Sequence, residues 1–185
     1  MVLYIHGFAS SGLGTKAQLF KQHYQNKGVK CLAPSLSFIP DLAMQTLEEI
    51  IQNCDEVTLI GSSLGGYYAL YLAHKYNLKA VLINPSISPQ KTLKRMLGEV
   101  ECFYSAGGRF CWEEQHLQML QKFHISTPKK ELFFLLAQKG DETLDFSEAV
   151  SYLEGAKMVV EEGGNHSFEK IERYFADIDQ FLGIQ

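Results

Sequence analysis

Gly61-Ser62-Ser63-Leu64-Gly65-Gly66 stands between a short apolar run, Val57 to Ile60, and a longer helix-forming run, Tyr67 to Tyr76. A strand that turns into a helix at G-x-S-x-G has the pattern of a nucleophile elbow. In such an elbow the central serine is forced towards positive φ, with its hydroxyl above the sheet. That serine is Ser63. Gly61 and Gly65 lie two residues to either side, where a Cβ would collide with the neighbouring strand or helix in so tight a reversal. The helix that begins at the serine aims free N–H groups at the site, and these can stabilise an oxyanion. Glycine and serine also punctuate ordinary loops, so the flanking strand and helix decide the reading rather than the motif alone.

A chain of 185 residues suits one domain, 1–185, with enough residues to bury a core without staples. Its 46% hydrophobic and 21% charged residues are those of an ordinary globular protein, and the apolar runs are too short to cross a bilayer. No basic n-region or cleavage-site pattern follows Met1, so the expected location is the cytoplasm. A net charge of −4, without a long basic run, argues against nucleic acid or an anionic membrane as partner. The four cysteines, Cys31, Cys54, Cys102 and Cys111, form no C-x-x-C pair and read as reduced, mostly buried thiols. A zinc site from Cys102, Cys111 and His116 matches no ligand spacing, so no metal is expected.

Strand and helix signals alternate along the chain. Strands are expected at Val2 to Ile5, Val29 to Ala33, Val57 to Ile60, Ala80 to Ile83, Glu131 to Gln138 and Lys157 to Val160. Helices are expected from Lys16 to Asn26 with Thr15 as cap, from Pro40, from Tyr67 to Tyr76, near Phe146 to Leu153, and from Phe168 to Leu182. Six strands alternating with helices imply a mostly parallel α/β sheet covered on both faces by right-handed crossovers. Between Ser86 and Pro128 the alternation lapses, which predicts an insertion of two weak helices, Pro89 to Leu97 and Trp112 to Phe123, around Gly107-Gly108.

Ligands of such sheets bind beyond the carboxyl ends of the strands, and the reactive residue types fall there. His6-Gly7-Phe8 follows the first strand, Ser63 the third, Asp141 the fifth and His166 the sixth. His166, in Gly163-Gly164-Asn165-His166-Ser167, is the candidate base, because neutral imidazole suits a hydroxyl near pH 7. The other reading is a capping loop in which Asn165 or Ser167 caps the helix. His23, His74, His116 and His124 fall in or beside helices and are worse placed. Asp141 is the candidate partner of the imidazole; Asp145, four residues on, is the rival and also a candidate helix cap. The oxyanion donors are expected to be the backbone N–H groups of Leu64 and Phe8, with His6 tied structurally into its loop.

Tyr4-Ile5-His6-Gly7-Phe8, the elbow at Gly61 to Gly66, Gly140-Asp141-Glu142 and Gly164-Asn165-His166 together resemble the motifs of the small bacterial YqiA/YcfP-like esterases, a branch of the α/β-hydrolase superfamily. The resemblance covers nearly the whole chain. It implies a single-domain α/β-hydrolase fold and an esterase acting on short acyl esters; the insertion at 86–128 carries no motif of the family and, by its length, leaves room for a small helical lid only. The resemblance also implies Ser63, Asp141 and His166 as the triad, a covalent acyl-enzyme and no cofactor. The expected partner is a small-molecule acyl ester, and the oligomeric state is open.

The same triad serves thioesters, amides and lactones, so a thioesterase stays open, as does a hydrolase-fold binding protein with a vestigial site. A dinucleotide or phosphate binder is disfavoured, because neither Gly12-Leu13-Gly14 nor Gly61 to Gly66 completes G-x-G-x-x-G or a Walker pattern. Leu93, Met96, Leu97, Trp112, Leu117, Met119, Leu120 and Phe123 read as core or as an acyl site, with core the plainer reading. Lys91, Lys94, Arg95 and Arg109 read as solvated charge that could steer an acidic substrate.

Overall fold

A computed structural model describes residues 1–103 and 108–185. Six strands form one parallel sheet in the order β2-β1-β3-β4-β7-β8, where β1 is Val2–Ile5, β2 Cys31–Leu32, β3 Thr58–Ser62, β4 Ala80–Ile83, β7 Phe133–Gln138 and β8 Lys157–Glu161. The chain leaves β1 towards β2 and then crosses back over β1 to β3. The crevice between the ends of β1 and β3 is therefore the topological switch point at which such sheets bind ligands.

Both faces of the sheet are buried, which is why its strands read as continuous apolar runs. On one face Leu3, Ile5, Leu59, Leu82, Phe133 and Leu135 pack against α2 (Pro40–Gln52), α3 (Leu64–Tyr76) and α6 (Phe146–Tyr152). On the other, Val2, Tyr4, Ile60, Val81, Phe134 and Leu136 pack against α1 (Thr15–Asn26) and α7 (Phe175–Leu182). Pro40 opens α2, where its missing N–H costs nothing. Asn77 and Gly183 close α3 and α7 in the left-handed conformation.

Several boundaries differ from expectation. β2 is two residues long rather than Val29 to Ala33, because the Val29 N–H is spent on the Tyr24 carbonyl at the end of α1. Gly14, not Thr15, is the N-cap of α1, and no side chain caps it. The last helix starts at Phe175 rather than Phe168. Phe168 and Lys170 both have positive φ, and a 3₁₀ turn, Ile171–Tyr174, intervenes. The cysteines are less buried than expected: Cys31, Cys54 and Cys102 are half-buried and Cys111 is exposed.

The stretch from Ser86 to Pro128 departs most. The expected helix Pro89 to Leu97 splits into α4 (Pro89–Thr92) and a 3₁₀ turn, Leu93–Met96. A two-stranded antiparallel hairpin follows, β5 (Gly98–Glu101) with β6 (Arg109–Trp112), and only then α5 (Glu114–Gln121). Gly107 of the expected break lies outside the described residues. Trp112 is thus a strand residue, and its ring packs edge-on to Phe8, with centroids 4.8 Å apart. Phe103 N–H donates to Ala9 O at 2.9 Å, so the insertion is tied to the loop after β1. Among the described residues no helix is long and apolar enough to cross a membrane.

Candidate active site

Ser63 directly follows β3 and is the N-cap residue of α3, with φ 56° and ψ −122°. A side chain pays strain in that region, and the surrounding glycines are what hold it there. A Cβ on Gly61 would lie 2.3 Å from the Gly65 carbonyl oxygen, and one on Gly65 would lie 2.1 Å from the Ile5 oxygen. The turn is therefore wedged between β1 and α3. Its result is a hydroxyl at the helix N-terminus, facing the crevice.

His166 reaches across from the loop after β8. Its Nε2 lies 3.0 Å from Ser63 Oγ, and its Nδ1 lies 2.8 Å and 2.9 Å from the two carboxylate oxygens of Asp141. A carboxylate only accepts when ionised, so Nδ1 carries the proton and Nε2 presents its lone pair to the serine. Asp141 Oδ1 also accepts the N–H groups of Thr143 and Leu144, each at 2.8 Å. Burial alone would raise the Asp141 pKa. The hydrogen bonds from His166, Leu144 and Thr143 outweigh it and hold the carboxyl below its ordinary value. Asp145 is elsewhere: its Oδ1 accepts Ser147 N–H at 2.9 Å and caps α6, the role that sequence offered it as an alternative.

The oxyanion candidates fall on either side of the serine. Leu64 is the first residue of α3, and Phe8 lies in the loop after β1; both line one cavity with Ser63 and His166. Among the described residues neither N–H is taken by a protein acceptor. A Cβ on Gly7 would stand 3.1 Å from Ser63 Cβ, so the loop passes directly against the serine. His6 fixes that loop. Its Nε2 accepts Leu36 N–H at 2.9 Å and its Nδ1–H donates to Gly7 O at 2.8 Å. Burial lowers its pKa, partly offset by the Gly7 contact, which suits a neutral structural imidazole.

The cavity over Ser63 has a volume of about 1070 Å³. Leu93 and Met96 line it, together with Phe8 and Phe103. Trp112, Leu117, Leu120 and Phe123 are instead buried in the core, and Leu97 is exposed. Arg95 also lines the cavity, whereas Arg109 pairs with Glu99 and Glu101 on the hairpin. His116 accepts Glu113 N–H through Nδ1 and stacks on Trp112.

The family described as Uncharacterised protein family (UPF0227) matches residues 1–183. The chain belongs to that family. It is 31% identical to a UPF0227 protein of Shewanella woodyi over 106 residues, covering 55% of this chain and 58% of the relative. A UPF0227 protein of Vibrio parahaemolyticus is 23% identical, with 98% of each chain covered. Among solved structures, mouse alpha/beta hydrolase domain-containing protein 10 superposes with a TM-score of 0.77 at 17% identity, covering 98% of this chain and 89% of that one. Est1E from Butyrivibrio proteoclasticus, solved with ferulic acid bound, gives 0.75 at 13% identity, covering 98% and 87%. The fold is that of the α/β hydrolases, and the resemblance to their YqiA/YcfP-like branch holds.

Four residues of this UPF0227 chain that sequence reasoning passed over also shape the site. Asn84 Nδ2 donates to the carbonyls of Asn165 and His166, while its Oδ1 accepts Gln138 N–H at 2.9 Å. Gln138 Oε1 accepts the N–H groups of Asn165 and Glu169, so two buried amides clamp the histidine loop. A polar residue closing the apolar run Phe133 to Ala137 was the available signal for Gln138. Ser86 Oγ is buried without a partner among the described residues and lines the cavity. The fourth is Lys16, which lines the cavity from the first turn of α1.

Proposed function

We propose that this protein is a carboxylic ester hydrolase that cleaves short-chain acyl esters through Ser63, His166 and Asp141. The observation that carries the reading is the hydrogen-bond sequence Asp141–His166–Ser63, which ends on a strained hydroxyl at a helix N-terminus. Likeness to structures described as esterases and hydrolases supports it.

Ser63 Oγ attacks the ester carbonyl carbon while His166 Nε2 takes its proton. The carbonyl electron pair moves onto oxygen, where the N–H groups of Phe8 and Leu64 receive it. Asp141, held ionised, stabilises the imidazolium and keeps it in register. The C–O bond to the alcohol then breaks, and the departing alkoxide takes the proton from His166. Water enters, gives a proton to Nε2 and attacks the acyl-enzyme; collapse releases the acid and restores the serine. Chain, substrate and water handle every proton and electron pair in this sequence.

The small insertion leaves room for a modest lid only, and this favours short acyl groups over long chains. A fluorophosphonate probe should label Ser63, with labelling lost in Ser63→Ala and strongly slowed in His166→Ala. p-Nitrophenyl butyrate should be turned over faster than the palmitate. Absence of adduct on folded protein would sink the reading, and a preference for palmitate would sink its short-chain part.

A further inference from the structure

Lys16 donates its ammonium to Ser62 Oγ at 2.7 Å, on the residue that immediately precedes Ser63. Ser62 also meets the buried Tyr4 hydroxyl, so the hydrogen-bond partner of the ammonium is a neutral oxygen. Among the described residues, Lys16 forms no ion pair, and neither do Arg95 and Lys170, which line the same cavity. Glu172 is the one carboxylate residue among the described lining residues. Three cationic residues and one carboxylate residue thus line the cavity of a chain whose net charge is −4, with Asp141 acting on Lys16 from outside that lining.

Ester hydrolysis by the sequence above has no use for an ammonium at Lys16. Lys16 is half-buried, with a hydroxyl as its hydrogen-bond partner and no ion pair among the described residues, and the cost of desolvation lowers its pKa to about 8 despite the pull of Asp141. An anion brought into the cavity would recover that cost, and it would do so only when the cavity is occupied. Arg95 and Lys170 add attraction at the mouth without competing for the inner position.

We infer that the substrate carries an anionic oxygen group, such as a carboxylate, which Lys16 binds inside the cavity, so that Lys16 selects acidic esters over neutral ones. This rests on the ester-hydrolase reading. Two sources of the anion are distinguishable: the far end of the acyl chain, as in a dicarboxylic acid monoester, or the alcohol portion.

The test uses matched pairs of esters on the wild type, Lys16→Met, Lys16→Gln and Lys16→Arg. p-Nitrophenyl hemiadipate against p-nitrophenyl hexanoate places the charge on the acyl side. 4-Butyryloxybenzoate against its methyl ester places it on the alcohol side. The readout is the ratio of kcat/KM for the charged and the neutral member. The ratio should fall about 10- to 100-fold in Lys16→Met and Lys16→Gln for one of the two pairs, and recover in part in Lys16→Arg. The pair that responds names the side on which the anion sits. Ratios that do not move in either pair, in enzyme that hydrolyses the neutral esters, overturn the role of Lys16 and leave the hydrolase reading standing. No hydrolysis of any ester and no fluorophosphonate adduct overturn the hydrolase reading, and this inference falls with it.

Discussion

The carboxamide of Asn84 donates to the carbonyl oxygen of His166 at 3.1 Å, across 82 residues of sequence. Asn84 sits at φ 39° just beyond β4, and the same amide holds Asn165 O and Gln138 N–H. One side chain thus fixes the height of the histidine loop over the sheet. Asn84→Gly keeps the backbone conformation available and removes all of these bonds. It is expected to lower kcat about 100-fold with a smaller change in KM, since a base displaced by about an ångström loses its alignment while the cavity still binds substrate. Stability should fall by about 1 to 3 kcal/mol for the buried groups left unpaired. Steady-state kinetics and urea unfolding check both, and an unchanged kcat would remove Asn84 from the positioning of His166.

Asp141 and Asp145 should separate cleanly. Asp141→Asn keeps an oxygen for the Thr143 and Leu144 N–H groups but cannot hold the same imidazole tautomer. kcat should drop about 10³- to 10⁴-fold with the fold intact. Asp145→Ala removes only the cap on Ser147 N–H, so the expected loss is about 1 kcal/mol of stability with activity retained. Circular dichroism melts alongside ester kinetics decide it; a reversed pattern would reassign the partner of His166.

Ser63 holds a backbone conformation that suits glycine. Ser63→Ala keeps the strain and Ser63→Gly relieves it, so the glycine variant should be the more stable of the two by about 1 kcal/mol. Neither should take up a fluorophosphonate. Equal stabilities would mean that the elbow is not strained in solution.

That Ser63, Asp141 and His166 would meet was legible because each belongs to a short local pattern at the carboxyl end of a strand, and the sheet brings those ends together. The clamp of Asn84 and Gln138 was not, since its hydrogen bonds join segments far apart in sequence and leave no local spacing. The β5-β6 hairpin was hidden for another reason. Only Val100, Phe110 and Trp112 turn inward on it, and Trp112 falls at a spacing that Met119 and Phe123 continue as a helix face. Lys16 read as an ordinary residue of a helix start. Its partial burial arises because the first turn of α1 brings it to Ser62 at the end of β3, a fact of packing rather than of pattern.

The same burial makes Lys16 a measurable cost to the fold. Its pKa is lowered to about 8 from an ordinary 10.5, chiefly by desolvation, with Asp141 opposing; Tyr4, His166, Arg95, Lys170 and Glu172 are the other titratable groups around the cavity. Below pH 8 the folded chain holds an ammonium less well solvated than in the unfolded chain, so the cost is present in full. As the pH rises from about 8 towards 10.5 the folded chain gives up that proton first, and the cost fades. Lys16→Met, which removes the charge but keeps much of the volume, should therefore be more stable than the wild type at pH 7, by about 1 to 2 kcal/mol. The gap should narrow by pH 10. Comparing the two proteins by urea unfolding at both values cancels groups they share. A variant no more stable than the wild type at pH 7 would mean that the ammonium is well solvated in the empty cavity, with no burial cost for a bound anion to relieve. A gap that persists to pH 10 would assign the gain to packing instead of charge.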